Sequence, residues 1–344
     1  MIGILGFAAL FGLNRFGPPK LAVVLALIWW ALLVMLQSPL FPQPNPIGSF
    51  MGGNFVGWLM LGILAVPVLG YRFGLRHLRR TIAAKATVAT NASGAFRPVE
   101  LDRYARHIML REIGGAGQRK LKEASVLVIG AGGLGSPALL YLAASGVGRI
   151  GVVDPDVVEN VNLQRQVIHT DDRIGMPKVH SAVAAMQALN PFLDLRAYAR
   201  RLDADTGGLI AEYDLILDGT DNFDTRYLVN KLCVAAGKPL ISAAITQWEG
   251  QISLYDPARG GPCFECTFPS RPALGMVPTC AEAGVAAPLP GVIGSMMAVE
   301  AIKHLTGAGQ TLRGRLMIYD ALYADARVIV TKRRAGCAAC DAPL

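Results

Sequence analysis

Residues Ser125 to Ser136 read SVLVIGAGGLGS: a short, mostly apolar run, a turn carrying four glycines, and a serine that opens an apolar segment reaching Ser145. An apolar run closed by glycine predicts a buried strand, and Ser136–Ser145 predicts the helix that follows it. Further along the chain, RIGVVD (Arg149–Asp154), DLILD (Asp214–Asp218) and PLISA (Pro239–Ala243) repeat the apolar-run signature, each ending in polar or small residues. Buried strands alternating with helices predict a parallel, doubly wound α/β sheet of the Rossmann-like kind. The later runs, Gly250–Tyr255, Arg315–Tyr319 and Ala326–Thr331, are joined differently and are open to antiparallel pairing, which would make the sheet mixed.

The remainder of the chain sets the organisation around this segment. The 344 residues are 52% apolar with a formal charge of +8. Seven of those charges, Arg15, Lys20, Arg72, Arg76, Arg79, Arg80 and Lys85, precede Ala95 in a stretch without Asp or Glu. The part after Ala95 is thus nearly neutral, which gives no support for a nucleic-acid surface. Two apolar runs, about residues 21–41 and 55–71, meet the length expected of membrane spans and show no polar face. A cleaved signal peptide fits poorly, because no small-x-small site comes after the first run. Arg15 and Lys20 before the first run, and Arg72–Arg80 after the second, flank an uncharged Pro-rich loop. The positive-inside rule then predicts a transmembrane helical hairpin in residues 1–80, multi-pass in the inner (cytoplasmic) membrane, with the catalytic domain facing the cytoplasm. Trp58 and Tyr71 suit interfacial positions, whereas Trp29 and Trp30 fall mid-span; the stretch 2–13 is too short to span. An Ala/Thr/Ser/Asn-rich linker over 81–98 would join the hairpin to one large α/β domain over 99–344.

The glycines at 130, 132, 133 and 135 lie where backbone can approach a polyphosphate, at a helix N-terminus with free N–H groups and a favourable dipole. Asp154, ending the next strand, is placed to accept ribose hydroxyls. This much says nucleotide, and an NAD-dependent oxidoreductase shares it. The next segments favour a more highly charged ligand: NLQRQ (Asn162–Gln166) and Lys178 in GMPKV add two fixed cations, of use against a triphosphate under attack. DGTDN (Asp218–Asn222) ends a strand at the ligand-binding edge of the sheet, where Asp221 can hold Mg²⁺. Singly, Arg165 and Lys178 also read as solvated surface and Asp221 as a helix N-cap. Two C-x₂-C pairs, Cys263/Cys266 and Cys337/Cys340, can supply four thiolates to a structural zinc, with disulfides as the alternative. Cys233 reads as an apolar filler, and Cys280 as the remaining cysteine in a plausible reactive setting.

With these residues in place the chain resembles the MoeB/ThiF adenylyltransferases, relatives of the adenylation domains of ubiquitin-activating enzymes. The resemblance runs from Leu101 to Asp341 through RYAR (Arg103–Arg106), GAGGLGS, Asp154, NLQRQ, GMPK, DGTDN, GPCFEC, TCAEAGV, the segment GVIGSMMAVEAIK and the closing cysteine pair. It implies that Gly130, Gly132, Gly133, Gly135 and Ser136 bind the phosphates of ATP, with Asn162 and Gln166 beside them and Asp154 on the ribose. It implies that Arg165 and Lys178 act at the α-phosphate, that Asp221 holds Mg²⁺, and that Arg106 reaches in from the second subunit of a homodimer. Cys280 matches a loop cysteine used in acyl or persulfide transfer by some members. The expected partner is a MoaD-like or ThiS-like ubiquitin-fold sulfur carrier, whose terminal glycine would be adenylated for thiocarboxylate formation. The MoeB-like branch serving molybdopterin synthesis is favoured over thiamine synthesis or a tRNA-modifying relative. The chain's end straight after the zinc cysteines implies a separate persulfide donor. An inactive nucleotide-binding scaffold would require loss of Arg106, Arg165, Lys178 or Asp221, and all four are present.

Overall fold

In the computed structural model the structure describes residues 19–39, 50–52, 54–64, 67, 71 and 74, then 96–203, 206–271 and 283–341. The chain divides into two compact units, Met1–Ala92 and Ser93–Leu344.

In the first unit the expectation of membrane spans is corrected. Among the described residues no helix is long and apolar enough to cross a membrane. With it goes the inner-membrane, multi-pass placement with a cytoplasm-facing catalytic domain. Among the described residues the first apolar run is helical over Pro19–Leu36. Gln37–Pro39 then turn out of the helix, as expected where proline removes a backbone donor and biases the residue before it away from helix. In the second run residues 55–64 are helical; most of 65–71 lies outside the described residues, as does the stretch 2–13. Trp30 is held by its own unit: its indole N–H donates to the Trp58 carbonyl at 2.8 Å, and its ring lies against Gly62. The Trp58 indole donates in turn to the Gly52 carbonyl at 3.0 Å.

The second unit is built on an eight-stranded mixed sheet in the order β3-β2-β1-β4-β5-β6-β7-β8. Its strands are β1 Ser125–Ile129, β2 Arg149–Val153, β3 Asp194–Tyr198, β4 Leu215–Asp218, β5 Leu240–Thr246, β6 Glu249–Tyr255, β7 Arg315–Asp320 and β8 Asp325–Val330. Strands β1 to β5 pair in parallel, and β6, β7 and β8 add antiparallel. Among the described residues six helices of ten residues or more frame the sheet: α1 Pro98–Ile108, α2 Gly114–Glu123, α3 Gly135–Ser145, α4 Lys178–Leu189, α5 Phe223–Ala235 and α6 Pro288–Thr306.

Alternation along β1 divides the core. Val126 and Val128 face a cluster containing Leu139 and Leu142 of α3, Val179 and Met186 of α4, and Ile293 and Met297 of α6. Leu127 and Ile129 face the opposite cluster, with Tyr227, Val229 and Cys233 of α5. All five residues of β1 are buried, because helices cover both faces. The sheet grows one way from β1 to β3 and the other way from β4, so the switch point falls between the carboxyl ends of β1 and β4, where open α/β sheets bind ligands.

Candidate functional site

A cleft of about 1050 Å³ opens at that switch point, lined by Gly130, Asp154 and Gly219 at the ends of β1, β2 and β4. The turn after β1 is held close to its neighbours. Gly130 has φ +94°, a left-handed conformation open to glycine, and donates to the Val153 carbonyl at 2.8 Å. A Cβ on Gly135 would collide with the Gly130 carbonyl, so the turn closes this tightly only with glycine there. Gly132 and Gly133 line the cleft beside Gly130. Gly135 and Ser136 support the turn from behind, the Ser136 hydroxyl donating to the Gly132 carbonyl at 2.7 Å.

Asp154 follows β2 with its carboxylate buried. Its two oxygens accept the backbone N–H groups of Ala131 and Asp156 at 2.7 and 2.9 Å. Burial raises its pKa above the ordinary aspartate value, and those two hydrogen bonds and the Lys178 charge oppose the rise. Arg165 lies on the cleft wall, where its guanidinium donates to the Asn162 side-chain oxygen at 2.9 Å. Asn162 therefore braces a cleft cation without lining the cleft itself. Gln166 is buried on the same wall, and its Oε1 has no hydrogen-bond partner.

Lys178 is the first residue of α4 and pairs with Asp156 at 2.9 Å. The DGTDN segment separates into different roles. Asp218 is fully buried and builds the turn, accepting from the backbone N–H and hydroxyl of Thr220 and from the Ser242 hydroxyl. Asn222, and not Asp221, caps α5, its Oδ1 accepting the Thr225 N–H at 2.8 Å. Asp221 is left exposed in the cleft.

Arg106 sits elsewhere. Tyr104, two residues before it on α1, is buried under Gly146 and accepts a hydrogen bond from Asn190 at 2.8 Å. Two helical steps place Arg106 far around α1 from that anchor, exposed and outside the cleft lining of its own chain. Cys280 lies outside the described residues. Cys233 is buried in the core, and burial pushes its thiol pKa up.

Cys263, Cys266, Cys337 and Cys340 converge although 74 residues separate the two pairs. Their sulfur atoms all lie within 4.8 Å of one another, with three contacts at 3.5 to 3.7 Å. A tetrahedral zinc with bonds of about 2.3 Å requires sulfurs about 3.8 Å apart, so the four thiols fit the ion. Disulfide bonding would require about 2.05 Å and is not formed.

The ThiF family model matches residues 104–339, a span that takes in the whole of this cleft and the cysteine cluster up to Ala339. The chain belongs to the ThiF family. It is 49% identical over 246 residues to a sulfur carrier protein adenylyltransferase of Thermus thermophilus, covering 70% of this chain and 91% of that one. It is 46% identical to the SAMP-activating enzyme E1 of Haloferax volcanii, over 70% of this chain and 89% of the relative. It is 50% identical to the probable adenylyltransferase/sulfurtransferase MoeZ of Mycobacterium tuberculosis, of which it spans 61%. Among solved structures, that of E. coli MccB with ATP superposes with a TM-score of 0.62 at 26% identity, over 69% of this chain and 74% of that one.

Two residues of the cleft, Asp156 and Arg226, and one behind it, His169, were not singled out from the sequence. Asp156 pairs with Lys178, and its one local sign is its position two residues after Asp154. Arg226 is buried in the cleft wall and donates to the carbonyls of Ala243 and Thr220, tying the Asp221 turn to β5. His169 meets the glycine turn from 38 residues away.

Proposed function

We propose that the chain is an ATP-dependent adenylyltransferase that activates the C-terminal glycine of a ubiquitin-like sulfur carrier as an acyl-adenylate. A MoaD-like carrier serving molybdopterin synthesis is the favoured substrate. The observation that carries the proposal is the convergence on one cleft of a phosphate-type glycine turn, a buried ribose-type carboxylate, two cations and an exposed aspartate. The supporting relatives are named for this activity.

In the proposed reaction a glycine carboxylate oxygen attacks the α-phosphorus of ATP. A carboxylate–phosphorus bond forms, the bond to the β-phosphate oxygen breaks, and pyrophosphate leaves with the electron pair. The nucleophile is already ionised, so no general base is required; alignment and charge neutralisation supply the rate. The glycine turn and the N-terminus of α3 hold phosphate oxygens, and Asp154 holds the ribose while bracing the turn through Ala131. Arg165 and Lys178 supply fixed positive charge to the α-phosphate as negative charge shifts toward the leaving group. Asp221 offers an exposed carboxylate suited to Mg²⁺, which would neutralise the triphosphate when bound. Arg106 is assigned to the partner subunit's cleft in a homodimer, in keeping with its exposure outside its own. Zinc at the four thiolates would be structural, since no ligand position is left open.

ATP–pyrophosphate exchange tests this function, with MoaD-like and ThiS-like carriers assayed separately. Exchange that requires one carrier and its terminal glycine supports the proposal and selects the pathway. Folded, zinc-loaded protein that supports no exchange with either carrier refutes it.

A further inference from the structure

We infer that His169 is a positioning residue for nucleotide binding: as a neutral imidazole it fixes the Ala131 peptide of the glycine turn and ties that turn to the helix bearing Lys178. The inference rests on the cleft being an ATP site and adds to it a residue that does not touch the nucleotide.

His169 is buried, and both ring nitrogens are engaged. Its Nε2 lies 2.9 Å from the Ala131 carbonyl, and its Nδ1 lies 2.9 Å from the Ser181 hydroxyl. A carbonyl oxygen only accepts, so Nε2 carries the hydrogen. The neutral ring then leaves Nδ1 as acceptor, and the Ser181 hydroxyl donates to it. Ser181 lies one turn along α4 from Lys178, on the same face. The ring is therefore a strut between the glycine turn and the N-terminal turn of α4.

Ala131 is held through both of its flanking peptide groups. Its N–H donates to Asp154 at 2.7 Å and its carbonyl accepts from His169. Asp154 and His169 together set the orientation of the residue between Gly130 and Gly132, and with it the direction of the neighbouring N–H groups toward a phosphate. A second proton on the ring is opposed chiefly by burial and then by the nearby cations Lys178 and Arg173, which together outweigh the pull of the Ala131 carbonyl toward a charged ring. The negative groups facing this region, Asp154 and Asp156, are committed to backbone N–H groups and to Lys178. His169 is thus held neutral, as the strut requires.

The test compares the full-length wild type with His169→Gln and His169→Leu. Gln places an N–H donor where Nε2 stands, whereas Leu fills the space without one. Equilibrium binding of MgATP is measured for each, alongside thermal midpoint and zinc content. The expected result is a weakening of about tenfold or more for Leu, from loss of a buried hydrogen bond, with Gln within about threefold of wild type. In ¹⁵N-histidine-labelled wild type, the ring assigned by its loss in His169→Gln should show the neutral Nε2–H pattern at pH 7 and retain it at pH 6.5. Leu binding ATP as tightly as wild type, Gln as weak as Leu, or a charged or Nδ1–H ring at pH 7 would each overturn the inference. A wild type that binds no ATP would overturn the ATP reading of the cleft and this inference together. ATP binding with an unmoved Leu variant sinks the inference alone. Should Leu fail to fold, the Gln comparison and the ring signature still decide.

Discussion

Lys178 stands in the cleft wall with its side chain 6% exposed, while its partner Asp156 is 61% exposed. The pair is lopsided: the cation is desolvated and the anion is still hydrated. An arriving phosphate can compete for the ammonium, because Asp156 returns to water at little cost. Removing Lys178 orphans no buried charge, whereas removing Asp156 does. Lys178→Ala should therefore lower carrier-dependent ATP–pyrophosphate exchange by about 10²-fold or more with little change in thermal midpoint. Two neighbouring residues separate stability from chemistry in the same way. Asn222→Ala removes the cap of α5 and should cost about 1 kcal/mol in urea unfolding. Asp221→Asn should leave the unfolding midpoint in place and weaken Mg²⁺-dependent exchange by about tenfold or more. If Asp221 were the cap, the two outcomes would exchange places. That Asp154, Arg165 and Lys178 would share one cleft was legible in the sequence, because each lies in a short motif that follows an apolar run or a glycine turn. His169 and Arg226 were not, since their partners are set by how the chain returns on itself.

Among the elements, the apolar-run rule found seven strands to within a few residues and missed β3. Its sequence, DLRAY, alternates charged and apolar residues, and every position is exposed or half-buried at the sheet edge. An edge strand needs no continuous apolar run, so none marked it. The antiparallel pairing of β6 to β8 agrees with joins that differ from the helical crossovers of the first half. The cysteine pairs lie on separate elements, one at a short helix after β6 and the other on the tail after β8. A metal there would close a long loop and anchor a tail whose preceding strand is exposed at all six positions. Cys340→Ser should abolish stoichiometric zinc by metal analysis and lower the thermal midpoint by about 5 °C or more. If exchange measured well below that midpoint survives, the zinc is structural; loss of exchange in folded protein would give it a catalytic part.

For the molecule taken whole, the proposed homodimer, with Arg106 in the partner's cleft, leads to a mixing experiment. Arg106→Ala and Arg165→Ala should each be nearly inactive alone. Subunits exchanged between them should recover roughly a quarter of wild-type exchange, since half of random dimers are mixed and each holds one intact cleft. No recovery, with sedimentation showing mixed dimers, would place Arg106 outside the reaction. The order of amino acids is enough to specify the nucleotide-type turn, the succession of strands and helices along the chain, and the pairing potential of the cysteines. Each of these is written in spacings of a few residues, where backbone geometry and burial act locally. Folding in three dimensions was needed to bring the four cysteines together, to make Asn222 the cap of α5 in place of Asp221, and to set His169 and Asp154 on either side of Ala131. It also ends the helix of the first apolar run at Leu36. The physical reason is shared: composition records which residues avoid water, whereas partners, caps and helix ends depend on which groups folding brings within hydrogen-bond reach.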